Sequence, residues 1–162
     1  MFCFSIEISF LLDTGHGILY TSGADGTLFS QSLDRHLYPN FLSITDFYRV
    51  LSMRGTYITT KMNEDNSMHT VISFNRGAEW RSTTKPVNVK CPPGLSECSL
   101  QISSVYSRMN QVNQVQTHLP LSSRYAPGII LVHGHTHKSL QTSLPDVYIT
   151  SDGGYAWYKV IY

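Results

Sequence analysis

Three histidines at alternate positions, His133-Gly134-His135-Thr136-His137, follow the apolar run Ile129-Ile130-Leu131-Val132. An apolar strand that delivers two imidazoles two residues apart can turn both toward one metal ion, with His135 and His137 as the ligands. The chemistry such a pair serves is metal-dependent hydrolysis of a phosphoester. That chemistry also needs carboxylate and Asn ligands to bridge two metals. Asp13-Thr14-Gly15-His16 puts its histidine one place too far, and the sequence holds no Gly-Asp and no Asn-His pair. The cluster therefore reads as turn histidines in solvent, able to titrate between about pH 5 and 7. A metal-dependent phosphoesterase using this His133–His137 segment, built around His135 and His137, stands as the alternative.

A second possible chemistry is sialic acid cleavage, which uses three arginines around a carboxylate, a Tyr nucleophile with its Glu, and an Asp acid. Arginines are available at 35, 49, 54, 76, 81, 108 and 124. None has a catalytic neighbourhood: Arg76 lies inside a turn, and Arg35 sits in Asp34-Arg35-His36. No residue is assigned a catalytic role, and no cofactor is expected.

The spacing that does repeat is structural. Thr150-Ser151-Asp152-Gly153-Gly154-Tyr155-Ala156-Trp157 shares its pattern, [ST]-x-[DN]-x-G-x-x-W, with Ser73-Phe74-Asn75-Arg76-Gly77-Ala78-Glu79-Trp80. A degraded copy runs from Ser22 through Gly26 to Phe29, with Ala24 in place of the acid. An Asp or Asn side chain accepts from backbone N–H groups just ahead and closes a tight turn. The Gly two residues on takes the positive φ, and the aromatic ring is buried under the hairpin. This is the Asp-box, a hairpin staple. Its predicted residues are Ser22, Gly26 and Phe29, then Ser73, Asn75, Gly77 and Trp80, then Thr150, Asp152, Gly154 and Trp157. The intervals, 51 residues (73 − 22) and 77 residues (150 − 73), suit propeller blades, with an insertion in the second.

The elements that must carry these turns are short strands. Alternation or β-branched enrichment predicts strands at 18–22, 27–32, 55–61, 70–74, 129–133, 146–150 and 157–162, with a polar loop at 63–66. Phe2, Phe4, Ile6, Ile8 and Phe10 alternate with polar or small residues, so the sequence reads as opening in mid-strand, as a segment of a larger protein would. Prolines and Gln/Ser enrichment mark 86–127 as largely an inter-strand insertion. Within it Val105, Met109 and Val112, with Val115 beyond them, fall at helical spacing, which predicts a short helix over 101–113. The fold class expected is all-β, a partial β-propeller of about two to three blades. So few blades cannot close a ring, and exposed strand edges invite association.

Composition limits the rest. The chain has 162 residues, 41% hydrophobic and 14% charged, as one globular unit would, and its net charge of +1 gives no footprint for nucleic acid. No run reaches the 18 apolar residues of a membrane span. Cys91 and Cys98 flank Pro92-Pro93-Gly94, and the spacing fits either a disulfide in an oxidising compartment or two free thiols. Cys3 is left with a missing partner or a place in the first strand.

Several runs together carry a resemblance to a known family. They include Ser32-Leu33-Asp34-Arg35-His36-Leu37-Tyr38, Arg54-Gly55-Thr56-Tyr57-Ile58-Thr59-Thr60, Asn63-Glu64-Asp65-Asn66-Ser67, Glu97-Cys98-Ser99-Leu100, and Pro145-Asp146-Val147-Tyr148-Ile149 leading into the last Asp-box. In this order, from about Asp13 to Trp157, the sequence resembles the sortilin-type receptors with a vacuolar-protein-sorting-ten domain. The resemblance implies a piece of a luminal ten-bladed propeller from a single-pass type I membrane protein. Such receptors carry protein and peptide ligands, neurotensin and pro-neurotrophins among them, between Golgi, endosome and plasma membrane. It implies a non-catalytic role, the remaining blades as partners, and a Cys91–Cys98 bridge. The family's pocket for a ligand's C-terminal carboxylate lies N-terminal to this segment, so no ligand-binding residue is carried over. Ala24 and Asn75 depart from the family's Asp-box acid.

Overall fold

β-branched and aromatic runs bounded by Gly, Pro, Asn and Asp turns form twelve strands in the computed structural model, which describes residues 6–8, 15–23, 25–38, 46–103 and 120–161. They are β1 (Ile6–Ile8), β2 (His16–Ser22), β3 (Phe29–Leu37), β4 (Tyr48–Arg49), β5 (Tyr57–Met62) and β6 (Met68–Ser73). Then come β7 (Arg81–Ser82), β8 (Ser99–Ile102), β9 (Leu121–Ser122), β10 (Ile130–His137), β11 (Asp146–Thr150) and β12 (Tyr158–Lys159). Among the described residues there is no helix. The strands make two antiparallel sheets, ordered β1-β2-β3-β5-β6-β7 with β4 on β5, and β12-β11-β10-β8 with β9 on β10. The architecture is all-β, as expected of a partial propeller.

The two sheets repeat one another residue by residue. Across the first run the cross-strand partners Tyr48, Ile58, Ile72 and Arg81. Across the second run Leu121, Leu131, Ile149 and Tyr158. Three residues along, His36 faces Lys61 as Ile102 faces Gly134. In each unit the eight residues between the paired positions of the last two strands, Ile72 and Arg81 or Ile149 and Tyr158, are the [ST]-x-[DN]-x-G-x-x-W segment, 73–80 or 150–157. β8 is therefore the counterpart of the end of β3, and β9 of β4.

This repeat changes the reading of 86–127. Ser99–Ile102 lies inside that stretch yet is a strand, with Leu100, Gln101 and Ile102 buried. Gln101 and Ile102, where the helix was expected to begin, are extended because both carry ladder and cross-sheet bonds. Ser103 continues the pairing, its amide donating to the His133 carbonyl at 2.8 Å, and residues 104–113 of the expected helix lie outside the described residues, as do Cys3, Ala24 and Asp13.

The main core forms between the sheets. Ile58 and Ile72 of the first unit pack with Leu100, Ile102, Ile130, Val132, Tyr148 and Trp157 of the second. Burial of such side chains contributes about 1.5–3 kcal/mol each. Polar groups fix the sheets' relative position. The Gln101 side-chain oxygen accepts from the Thr70 amide at 2.8 Å, and the Ile102 amide donates to the Thr70 hydroxyl at 2.8 Å. A smaller cluster, Leu19, Leu33 and Val71 with Trp80 against it, joins the first unit to the β2–β3 hairpin before it. The first unit thus turns one face to the hairpin before it and the other to the second unit.

Candidate functional site

The eight-residue turns have the same internal bonding. In the later one the Thr150 hydroxyl accepts from the Gly154 amide at 3.1 Å and donates to Asp152 Oδ1 at 2.7 Å. The Asp152 carboxylate accepts from Tyr155 N–H at 2.9 Å and from Ala156 N–H at 3.0 Å. Burial pushes the Asp152 carboxyl up, but the Ala156, Thr150 and Tyr155 hydrogen bonds outweigh it and hold the group below the usual carboxylate value. Gly154 takes φ 108°, and the Trp157 ring is fully buried, its indole N–H donating to the Gly154 carbonyl at 3.1 Å. In the earlier turn the Ser73 hydroxyl accepts from Gly77 N–H at 2.8 Å, and Asn75 Oδ1 from Glu79 N–H at 2.9 Å.

These turns also tie neighbouring units together. The Trp80 indole donates to the Ser32 hydroxyl of β3 at 2.9 Å. Phe74 stacks on Tyr155 of the next turn, ring centroids 4.1 Å apart and planes 7° from parallel. Ser22, Gly26 and Phe29 are not brought together in this way. The Ser22 hydroxyl donates to the adjacent Gly23 carbonyl, and Phe29 is 41% exposed. Position 24 lacks the acid, and the carboxylate one place on, Asp25, accepts from the Thr27 hydroxyl at 2.7 Å instead.

The histidines occupy alternate positions on β10 and so share one face. The His135 Nε2–H donates to the Ser143 carbonyl at 3.0 Å, and burial pushes this imidazole below its usual value. His137 Nδ1 accepts from the Gln141 amide at 3.0 Å. Both line a depression of about 340 Å³ with Lys90, Tyr148, Asp146 and Lys159. The carboxylate there, Asp146, is ion-paired with Lys159 at 2.7 Å. Among the described residues no group of three His, Cys, Asp or Glu side chains could hold a metal ion. Gly134 has a packing reason: a Cβ there would strike the Gln101 carbonyl of β8. Arg35, a candidate for anion binding, instead donates to the carbonyls of Met62 at 3.0 Å and Asn63 at 2.8 Å.

The site that composition did not point to is the outer face of the second sheet. Leu121, Leu131, Ile149 and Tyr158 lie in register across four strands on the face away from the core. Leu121 is 57% exposed, Leu131 37% and Tyr158 43%. Their counterparts Ile58 and Ile72 in the first sheet are buried beneath the second. Its one sequence signal is Ile129-Ile130-Leu131-Val132, apolar on both faces, as a strand covered on both sides would be.

Residues 6–162 match the family model described as "Sortilin, neurotensin receptor 3". The chain belongs to the sortilin family. Sortilin of Rattus norvegicus is 43% identical over 152 residues, covering 92% of this chain and 18% of that protein. Sortilin of Danio rerio gives the same identity over 152 residues. The "Sortilin-related receptor" of Homo sapiens is 33% identical over 171 residues, covering 88% of this chain and 7% of that protein. The chain thus spans less than a fifth of the length of these sortilin-family relatives. Cys91 and Cys98 are bridged. Among the described residues no helix is long and apolar enough to cross a membrane.

Proposed function

We propose that this chain is an arc of the luminal, ligand-binding propeller of a sortilin-like sorting and endocytic receptor. The observation that carries this is the apolar row Leu121, Leu131, Ile149 and Tyr158, the counterpart of a row whose centre, Ile58 and Ile72, the second sheet buries. A further four-stranded unit of the same chain covers it, and repetition of that contact generates a ring. The turns at 73–80 and 150–157 serve as Asp-box staples, supported by their shared hydroxyl-to-Gly and carboxyl-or-amide-to-backbone bonds. The parent protein, a single-pass membrane receptor of Golgi, endosome and plasma membrane, binds peptides and proteins such as neurotensin and pro-neurotrophins. This segment contributes wall and rigidity, and no chemistry.

The phosphoesterase alternative has no specific support, since His135 and His137 are engaged by Ser143 and Gln141 and the carboxylate beside them, Asp146, is ion-paired with Lys159. The test is to express the full receptor, measure uptake of labelled neurotensin, and assay hydrolysis of a simple phosphodiester with Mn²⁺. Uptake without hydrolysis is expected. Hydrolysis abolished by His135→Ala would overturn the reading.

A further inference from the structure

A strand at the margin of a sheet leaves alternate backbone groups unpaired and open to a second chain. β12 is such a strand: Ile149 and Tyr158 face one another, and the Val160 amide donates to the Val147 carbonyl, so this side is closed by β11. On the other side the outward backbone groups are those of Trp157 and Lys159, two apart as the pleat requires, with the Tyr155 carbonyl in the turn just before them. Each is met by the segment leaving β7. The Thr84 hydroxyl donates to the Tyr155 carbonyl at 3.1 Å, and the Val87 amide to the Trp157 carbonyl at 2.9 Å. The Asn88 side chain makes both bonds of a ladder residue at once. Its amide nitrogen donates to the Lys159 carbonyl at 2.8 Å, and its oxygen accepts from the Lys159 amide at 2.8 Å.

We propose that residues 84–89 are a strand mimic that closes the outer edge of β12 against strand addition by a second copy of the chain, with Asn88 its keystone and the Cys91–Cys98 bridge its tether. The strap is anchored rather than free. Pro86 is buried, Val89 packs against the main core, and Lys85 Nζ donates to the Val89 carbonyl at 2.9 Å. The bridge removes the residues between 91 and 98 from the covalent path joining β7 to β8, which shortens the loop that must be ordered. Reduction lengthens that path and loosens the strap.

The test follows the Lys159 amide by hydrogen exchange in the full chain, with sedimentation velocity alongside. Asn88→Ala is expected to speed exchange at Lys159 by about tenfold or more while the Val160 amide keeps its native rate, and to produce concentration-dependent dimers. Asn88→Asp keeps an acceptor for the Lys159 amide but sets a carboxylate against its carbonyl, so an intermediate acceleration is expected. Mild reduction of the native chain is expected to reproduce the opening without any substitution, and it decides the matter should Asn88→Ala fail to fold. Native exchange at Lys159 in Asn88→Ala, equal acceleration at Val160, or monomers under every condition would each overturn the proposal.

Discussion

Trp157 and Trp80 hold equivalent positions in their turns, but their surroundings differ enough to separate them energetically. Trp157 is fully buried among Ile58, Ile72 and Tyr148, whereas Trp80 stays partly exposed at the margin of the smaller cluster. Trp157→Ala is expected to cost about 3–5 kcal/mol and Trp80→Ala about 1–3 kcal/mol, read from urea denaturation midpoints. Equal costs would mean that the hairpin, and not the inter-sheet core, sets the contribution. Gly134 offers a second test at this scale. Because a Cβ would meet backbone of β8 and not a movable side chain, Gly134→Ala is expected to destabilise by about 1–3 kcal/mol in the absence of any metal. A neutral substitution would remove the packing explanation for the glycine of the histidine segment.

At the scale of the element, β10 and β6 each hold a histidine that burial keeps below its usual value, His135 and His69. A folded value below the unfolded one means that the unfolded chain binds its proton first as pH falls. Stability from these strands is therefore fully present above the unfolded value of about 6.5 and is lost as pH drops through it toward the lower folded values. Carboxylates do not titrate across most of that window, so the histidines dominate there. Thermal midpoints at pH 7.5 and 5.5 are expected to fall with acidification, and His135→Gln is expected to reduce that fall. A midpoint independent of pH over this range would contradict the assignment. Acid below about pH 4 adds the loss of the Asp152 bonds, whose carboxyl is held low in the folded turn.

For the molecule as a whole, the strand pattern was legible because turn residues and β-branched runs are local signals. Asp146–Thr150 coincides with its expected strand, and β2, β5, β6 and β10 overlap theirs. The [ST]-x-[DN]-x-G-x-x-W spacing leads into Trp157, which is fully buried. The strand at Ser99–Ile102 was not, because Ser99 and Gln101 are polar residues made acceptable in a strand by partners far along the chain, Thr70 and His137. In the degraded copy at Ser22–Phe29 position 24 is Ala, and the neighbouring Asp25 accepts from the Thr27 hydroxyl instead. The docking row could not be read from any one segment, since Leu121, Leu131, Ile149 and Tyr158 meet only through cross-strand register.

That row also supplies the most direct test of the account. Leu131→Asp and Ile149→Asp should be made in the 162-residue chain and again in the full-length receptor, and the stability of each compared. A smaller loss is expected in the short chain, where Leu131 is 37% exposed and Ile149 half-buried, than in the receptor, where burial by the next blade adds about 2–4 kcal/mol. Equal effects in both proteins would contradict the claim that this face carries the following blade.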